Sequence, residues 1–288
     1  MRNFLIGLSY ALLWATAGAA NKFGLAAGGQ PLLMTNIRFL IAAALLLILV
    51  HGIQKNALPQ RADWRPLLIY GLLNNTIYMS LFIYGLKNAS AGISTLSLAL
   101  NPLIISILSS FWFKKEIKNT IWMGLFLGIF GVAIATFPLL QKAVVNPVGM
   151  SFLFASMLCY SIGTVFFANR LWTLSKLVIN TWQIFFGALL MLPITFIFSN
   201  PPYENYNIQY WSVIFWLAIP VTIIAVQLWL NLLSIDAVKA SLWLFICPIF
   251  GFIYAYFLLG EPITIYTLGG TCLVIGGLYL GQKKSTVL

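Results

Sequence analysis

One stretch of this chain occurs twice. The first copy runs from Leu86 to Gly131 and the second from Leu232 to Gly276. Leu86, Ala91, Leu96 and Pro102 fall on Leu232, Ala237, Leu242 and Pro248 at an offset of 146. Glu116, Gly124 and Gly131 fall on Glu261, Gly269 and Gly276 at 145, which reads as one residue lost or gained in between. Each copy is a long apolar helix with a proline inside it, a tight charged turn and a glycine-rich apolar helix. An offset close to half of 288 residues makes the chain two halves of one design. The halves are expected at residues 1–143 and 144–288.

Polarity decides what those halves are. Hydrophobic residues make up 61% and charged residues 7%, against about 45–50% and 25% in a soluble domain. So few charges cannot cover a globular surface, and most of the apolar area must face lipid. The 16 Lys and Arg stand singly between apolar runs and form no basic face for nucleic acid. Ten runs have the length that a bilayer core requires. They are Phe4–Ala20, Leu33–Val50, Leu67–Leu86, Gly92–Phe113, Ile121–Leu140, Val148–Ala168, Leu177–Phe198, Trp211–Leu232, Val238–Leu259 and Ile263–Gly281. Their apolar character is continuous rather than alternating, so helices are expected and a barrel is not. Arg2, the run from Phe4 and Ala17-Gly18-Ala19 also fit a signal peptide. The repeat argues against cleavage: Trp14 and Tyr160 stand 146 apart, and loss of the first run would leave one half a helix short.

Loop charges predict the orientation. With both termini inside, the inner loops hold Arg2, Lys55, Arg61, Arg65, Lys114, Lys115, Lys118, Arg170, Lys176, Lys239, Lys283 and Lys284. The outer loops hold Lys22, Lys87 and Lys142, and Arg38 lies within the second run. Twelve against three is a cytoplasmic bias. Five runs per half is an odd number, so the second half enters the membrane inverted. The expected fold is an all-α integral membrane protein of ten helices, two five-helix modules in inverted repeat. The expected place is the plasma membrane (the inner membrane of a bacterium), with cytoplasmic termini. Such architectures are common among secondary transporters, with a midplane site between the repeats.

Several motifs resemble the EamA-type module of the drug/metabolite transporter superfamily. They are Trp14-Ala-Thr-Ala-Gly-Ala-Ala-Asn-Lys22, Arg38-Phe39-Leu40, Leu86-Lys87-Asn88-Ala89-Ser90-Ala91-Gly92, Pro102 with Glu116, and Pro248 with Gly260-Glu261. The resemblance covers the whole chain. It departs in the second module, where Ala168 stands at the place of Lys22 and Gln183 at that of Arg38. It implies a ten-helix carrier, often an exporter of amino acids or other metabolites, with a cavity between modules.

Polar residues inside spans are costly in hydrocarbon and usually face the bundle interior. Asn74, Asn75 and Tyr78 share a face of the third run, and Gln227 and Asn231 one of the eighth, after Pro220. The expected cavity is lined by Trp14, Asn75, Tyr78, Ser97, Asn101, Tyr160, Thr164, Gln227 and Trp243, with charge contacts from Lys22 and Arg38. Each has a structural alternative: interhelical glue for the amides, a simple kink at Pro102 and Pro248, and a snorkel to the outer interface for Arg38. Glu116 and Glu261 fit turn closure, with cation coupling as the alternative. Gly124, Gly128, Gly131, Gly269, Gly270, Gly276 and Gly277 fit packing of the two final helices, or else a dimer. A monomer is the expectation. Cys159, Cys247 and Cys272 lack metal-ligand spacing, and the lone His51 makes no dyad.

The carboxylates Asp63, Glu116, Glu204, Asp236 and Glu261 all fall outside the middle of a span. A lipophilic cation would lack a partner there, which favours amino acids or related zwitterions over multidrug cations as substrate. A membrane-embedded enzyme would need a nucleophile–base pair, a metal cluster or an intramembrane acid, and no span offers one. No catalytic residue, metal or cofactor is expected. A structural protein would not need a repeated polar interior. The partners expected are a small-molecule substrate and the bilayer.

Overall fold

Inside lipid every backbone N–H and C=O must find a partner within the chain, and helices do this locally. The computed structural model describes residues 2–89, 91–114, 116–141, 146–199, 207–260 and 262–282, and among these the regular structure is helical throughout. Lys115, Lys142, Glu204, Glu261, Lys283 and Lys284 lie outside the described residues. Among the described residues, eight helices are long and apolar enough to cross a membrane. They are α1 (Arg2–Ala26), α2 (Pro31–Ile53), α3 (Arg61–Lys87), α4 (Thr95–Phe113), α6 (Pro147–Asn169), α7 (Lys176–Phe198), α8 (Ile208–Leu233) and α9 (Ala237–Leu258). The other two expected runs are helices of a different kind. α5 (Asn119–Ala135) has 17 residues, and α10 (Ile265–Gln282) has 18, with Gly269, Gly270, Gly276, Gly277 and Gly281 among them. Gly124, Gly128 and Gly131 of α5 and Gly270, Gly277 and Gly281 of α10 serve packing, whereas Gly269 and Gly276 face open space.

The irregularities of the helices repeat between halves. α3 widens to a π-helix over Leu72–Ile77, and α8 does so over Leu217–Ala225 around Pro220. Residues 72–77 moved by 146 positions fall inside that second segment. The proline of the fourth run was expected to kink a continuous helix. Instead the run breaks: Ala91–Leu98 ends, and a new helix starts at Asn101 with Pro102 in its first turn, where its missing N–H costs nothing. The equivalent part of α9 passes through a 3₁₀ turn at Leu242–Phe245, just ahead of Pro248. Both broken helices then end on a left-handed residue, Lys114 at φ 48° and Gly260 at φ 68°.

α5 and α10 lie so close that only glycine fits between them. A Cβ on Gly124 would lie 2.6 Å from the Gly277 carbonyl oxygen, and one on Gly131 would lie 2.7 Å from that of Gly270. The order of these contacts makes the two helices antiparallel. They also correct the register read from the sequence. Gly124 and Gly131 exchange with Gly270 and Gly277 at an offset of 146, and Asn119 and Ile265, which begin the two helices, keep that offset too. No residue is lost between the copies, because the glutamates that implied 145 belong to the turns, outside the helical register. This face is consumed inside the chain and is not offered to a dimer.

The remaining contacts obey the same exchange. α1 packs on α8 and α9, and α6 packs on α3 and α4, while α2 pairs with α7 and α5 with α10. Large apolar side chains such as Phe111, Phe196, Ile197 and Phe257 project outward from this bundle, as lipid-facing residues would.

Candidate functional site

The widened turn of α3 turns Asn74 and Asn75 into the bundle, and that of α8 does the same for Thr222; all three are buried. Such segments displace the hydrogen-bond register and recur at functional sites. Gly71 and Gly187 let α3 approach α7: a Cβ on Gly71 would sit 2.5 Å from the Gln183 carbonyl oxygen. At that separation Asn75 Nδ2 donates to Gln183 O at 3.0 Å and to Gln183 Oε1 at 3.1 Å. Gln183 Nε2 donates to Asn180 Oδ1 at 3.2 Å, and Asn180 Nδ2 to Ile223 O at 3.2 Å and Gln227 Oε1 at 3.4 Å. A chain of amides therefore ties α3, α7 and α8 together.

Beside this chain lies a pocket of about 30 Å³, room for one or two waters. Both halves line it. Trp14, Arg38, Phe39, Tyr70, Asn74, Asn75, Tyr78 and Met79 come from the first, and Tyr160, Gln183, Thr222, Val226 and Trp229 from the second. Its aromatic wall is continuous. The Tyr10 ring stacks on Trp229 at 4.9 Å and on Trp14 at 5.9 Å; Tyr160 lies 4.8 Å from Tyr78 and 6.4 Å from Trp229.

Arg38 does not snorkel. It is 4% exposed, with its guanidinium carbon 5.0 Å from the Phe39 ring centre and Nη2 3.8 Å from Met79 Sδ. Its Nε has no hydrogen-bond partner, and neither has Trp229 Nε1. No described carboxylate lines the pocket. Asp63 closes the capping box that starts α3, Asp236 caps the start of α9, and Glu116 is exposed at the turn before α5. No group of His, Cys, Asp and Glu suited to a metal occurs among the described residues.

Of the residues expected in one cavity, Trp14, Asn75, Tyr78, Tyr160 and Arg38 meet in the pocket. The others go elsewhere. Asn101 Oδ1 accepts from Ser161 Oγ at 3.2 Å and fastens α4 to α6. Gln227 ends the amide chain one shell behind the pocket. Ser97 and Thr164 are buried away from it, and Lys22 is exposed. Trp243 faces the end of the bundle where α1 begins. Its ring lies 5.4 Å from Phe4 and against Gly7, and it borders a recess of about 300 Å³ shared with Asn3, Asp236, Lys239 and Gln282. Tyr70, Thr222 and Trp229 were absent from the sequence reading of the site. Trp229 lies two residues after Gln227, but an aromatic ring in an apolar helix carries no polarity signal of its own.

The model of the EamA-like transporter family matches residues 1–137 and 147–281. The uncharacterized transporter sll0355 of Synechocystis sp. is 24% identical, over 99% of this chain and 91% of its own. The uncharacterized transporter YoaV of Bacillus subtilis is 26% identical over 97% of each. Protein PecM of Dickeya dadantii is 25% identical over 89% of this chain and 84% of its own. A protein crystal structure that is 19% identical superposes with a TM-score of 0.81 over 98% of both chains, a likeness of fold alone.

Proposed function

The chain belongs to the EamA-like transporter family, and on that footing we propose that it is a secondary transporter exporting small metabolites, most readily amino acids or related zwitterions. Two five-helix modules, divided at residues 143 and 144, insert in opposite orientations and rock about the pocket between them. All ten helices cross the plasma membrane, with both termini in the cytoplasm. The matching irregularities of α3 and α8, the antiparallel glycine contact of α5 and α10, and the loop charges support this arrangement.

The observation that carries the substrate reading is the pocket's charge. It is lined by both halves, holds Arg38, and has no described carboxylate. A lipophilic cation would meet aromatic faces worth about 0.5–2 kcal/mol, but would sit beside a guanidinium without an anion to pair with. A carboxylate is the better match.

The test is substrate counterflow in proteoliposomes together with growth protection. Cells making the protein should resist toxic amino-acid analogues more than quaternary ammonium dyes, and the reverse order would overturn the substrate reading. For orientation, the three native cysteines are removed and single ones placed at Leu171 and Ile208, both highly exposed. Only Ile208→Cys should react with an impermeant reagent on intact cells.

A further inference from the structure

We infer that Arg38 and Trp229 form a carboxylate-anchoring subsite, and that the pocket recognises the carboxylate of its substrate without requiring an ammonium. The inference rests on the transporter reading of the same pocket and extends its substrate class from zwitterions to carboxylates that carry no ammonium.

An arginine stays charged in a protein and carries five N–H donors. Arg38 is 4% exposed and lies against a thioether at 3.8 Å and the face of Phe39, with the Tyr78 side chain in electrostatic reach. The first two accept hydrogen bonds poorly, and Tyr78 presents a phenol rather than an anion. A buried guanidinium left this way costs several kcal/mol, so the donor set calls for an anion. Trp229 adds a donor of fixed direction. Its indole is 3% exposed and stacked between Tyr10 at 4.9 Å and Tyr160 at 6.4 Å, and its Nε1–H is unpartnered. Both residues line the pocket. The described carboxylates are committed or remote: Asp63 and Asp236 cap helices, and Glu116 is exposed at a turn.

The same pocket has no comparable match for an ammonium. Gln183 Oε1 already accepts from Asn75, and the one unpartnered amide oxygen in the lining, Asn74 Oδ1, carries no charge. The Thr222 hydroxyl donates to Leu217 O at 2.8 Å. An ammonium would find neutral partners alone: the Asn74 amide oxygen, hydroxyl oxygens and aromatic faces. A monocarboxylate therefore neutralises the pocket, whereas a zwitterion leaves it with a net positive charge. The present space takes one or two waters, so a ligand enters as the helices part, onto donors already in place.

The experiment uses the full chain purified in detergent and three ligands that differ only in their charged groups: 3-phenylpropanoate, phenylalanine and phenethylamine. Binding is read by thermal shift and calorimetry. 3-Phenylpropanoate should bind at least as tightly as phenylalanine, and phenethylamine should not bind. Arg38→Gln should weaken both carboxylates about 10-fold or more, and Arg38→Lys should retain part of the affinity. Trp229→Phe keeps the stack and removes the N–H; it should weaken carboxylates and leave the fold intact. Phenylalanine binding without 3-phenylpropanoate binding would overturn this inference and leave the amino-acid reading standing. Phenethylamine binding as well as the acid, or chloride or phosphate shifting the midpoint as far as 3-phenylpropanoate does, would also overturn it. So would affinities indifferent to both Arg38→Lys and Trp229→Phe, or a failure of all three ligands to bind. Carboxylate binding with no counterflow in proteoliposomes would sink the transporter reading alone.

Discussion

Adjacent glycines on α10 should respond to the same substitution with opposite signs. A Cβ on Gly277 would lie 2.6 Å from the Gly124 carbonyl oxygen and 3.0 Å from the Gly128 nitrogen; one on Gly270 would lie 2.6 Å from the Ala135 nitrogen. These neighbours are backbone and cannot swing aside, so Gly270→Ala and Gly277→Ala force α5 and α10 apart. Gly269 and Gly276, one residue earlier in each case, have nothing within 4 Å. Alanine in a helix interior gains about 0.5–1 kcal/mol over glycine, and overpacking costs about 1–3 kcal/mol. The propensity gain is common to all four positions, so the difference between neighbours isolates the clash at about 1–3 kcal/mol. Melting in detergent reads it directly: Gly269→Ala and Gly276→Ala at or slightly above the parent midpoint, Gly270→Ala and Gly277→Ala below it. Equal midpoints within each pair would refute the antiparallel glycine contact and the register drawn from it.

Lys114 holds a left-handed conformation that costs a side chain about 1–2 kcal/mol, so Lys114→Gly should raise the melting midpoint. Gly260→Ala, at the equivalent cap with nothing within 4 Å, should lower it; matching shifts of one sign would contradict the cap assignment. Asn75→Ala and Gln183→Ala should be coupled by about 0.5–1.5 kcal/mol in a double-mutant cycle on stability, and additive losses would remove the bond from the account. Gly7→Ala places a methyl group against the Trp243 ring and should destabilise by about 1–3 kcal/mol. The loss should largely disappear in a Trp243→Leu background, and persistence there would show that something other than the ring is struck.

Apolar runs of bilayer length placed the eight helices that are long and apolar enough to cross a membrane among the described residues, because the demand they answer is local: each stretch must satisfy its own backbone in lipid. The interior pairing of α5 with α10 was legible as well, since a row of glycines has little other use on such a helix. The register between copies was not. Glu116 and Glu261 align well as letters, yet helix register is set by which glycine meets which carbonyl. The widened turns in α3 and α8 left no mark, because a shifted hydrogen bond needs no particular residue. Arg38 was open to two readings because the depth of a long side chain depends on what packs above it. Here Phe39 and Met79 hold it inside. Trp243 was assigned to the centre from its position in the repeat, but its direction follows from Gly7, whose missing side chain makes room for the ring.

The frame of this protein repeats and its lining does not, and that difference gives the site a direction. Exchange of the halves preserves the helix contacts, the widened turns and the glycine seam. It turns Trp14 into Tyr160, and it sets uncharged residues of α7 (Ile184 at an offset of 146, Gln183 beside it) against Arg38, a cation with donors to spare. A symmetric frame makes two opposed packings of the same helices close in energy, as alternating access needs. An asymmetric lining then fixes how a ligand lies within either one. α2 spans 23 residues, and Arg38 sits one turn before its midpoint at Ala42, about 6 Å along the axis. A carboxylate held there lies off centre, towards the end of the bundle where α2 begins. The rings of Trp14, Tyr78, Tyr160 and Trp229, which line the pocket, are left to receive the rest of the molecule. On the carboxylate reading proposed above, the head of the substrate is set by one charge on one half, and its body by rings from both.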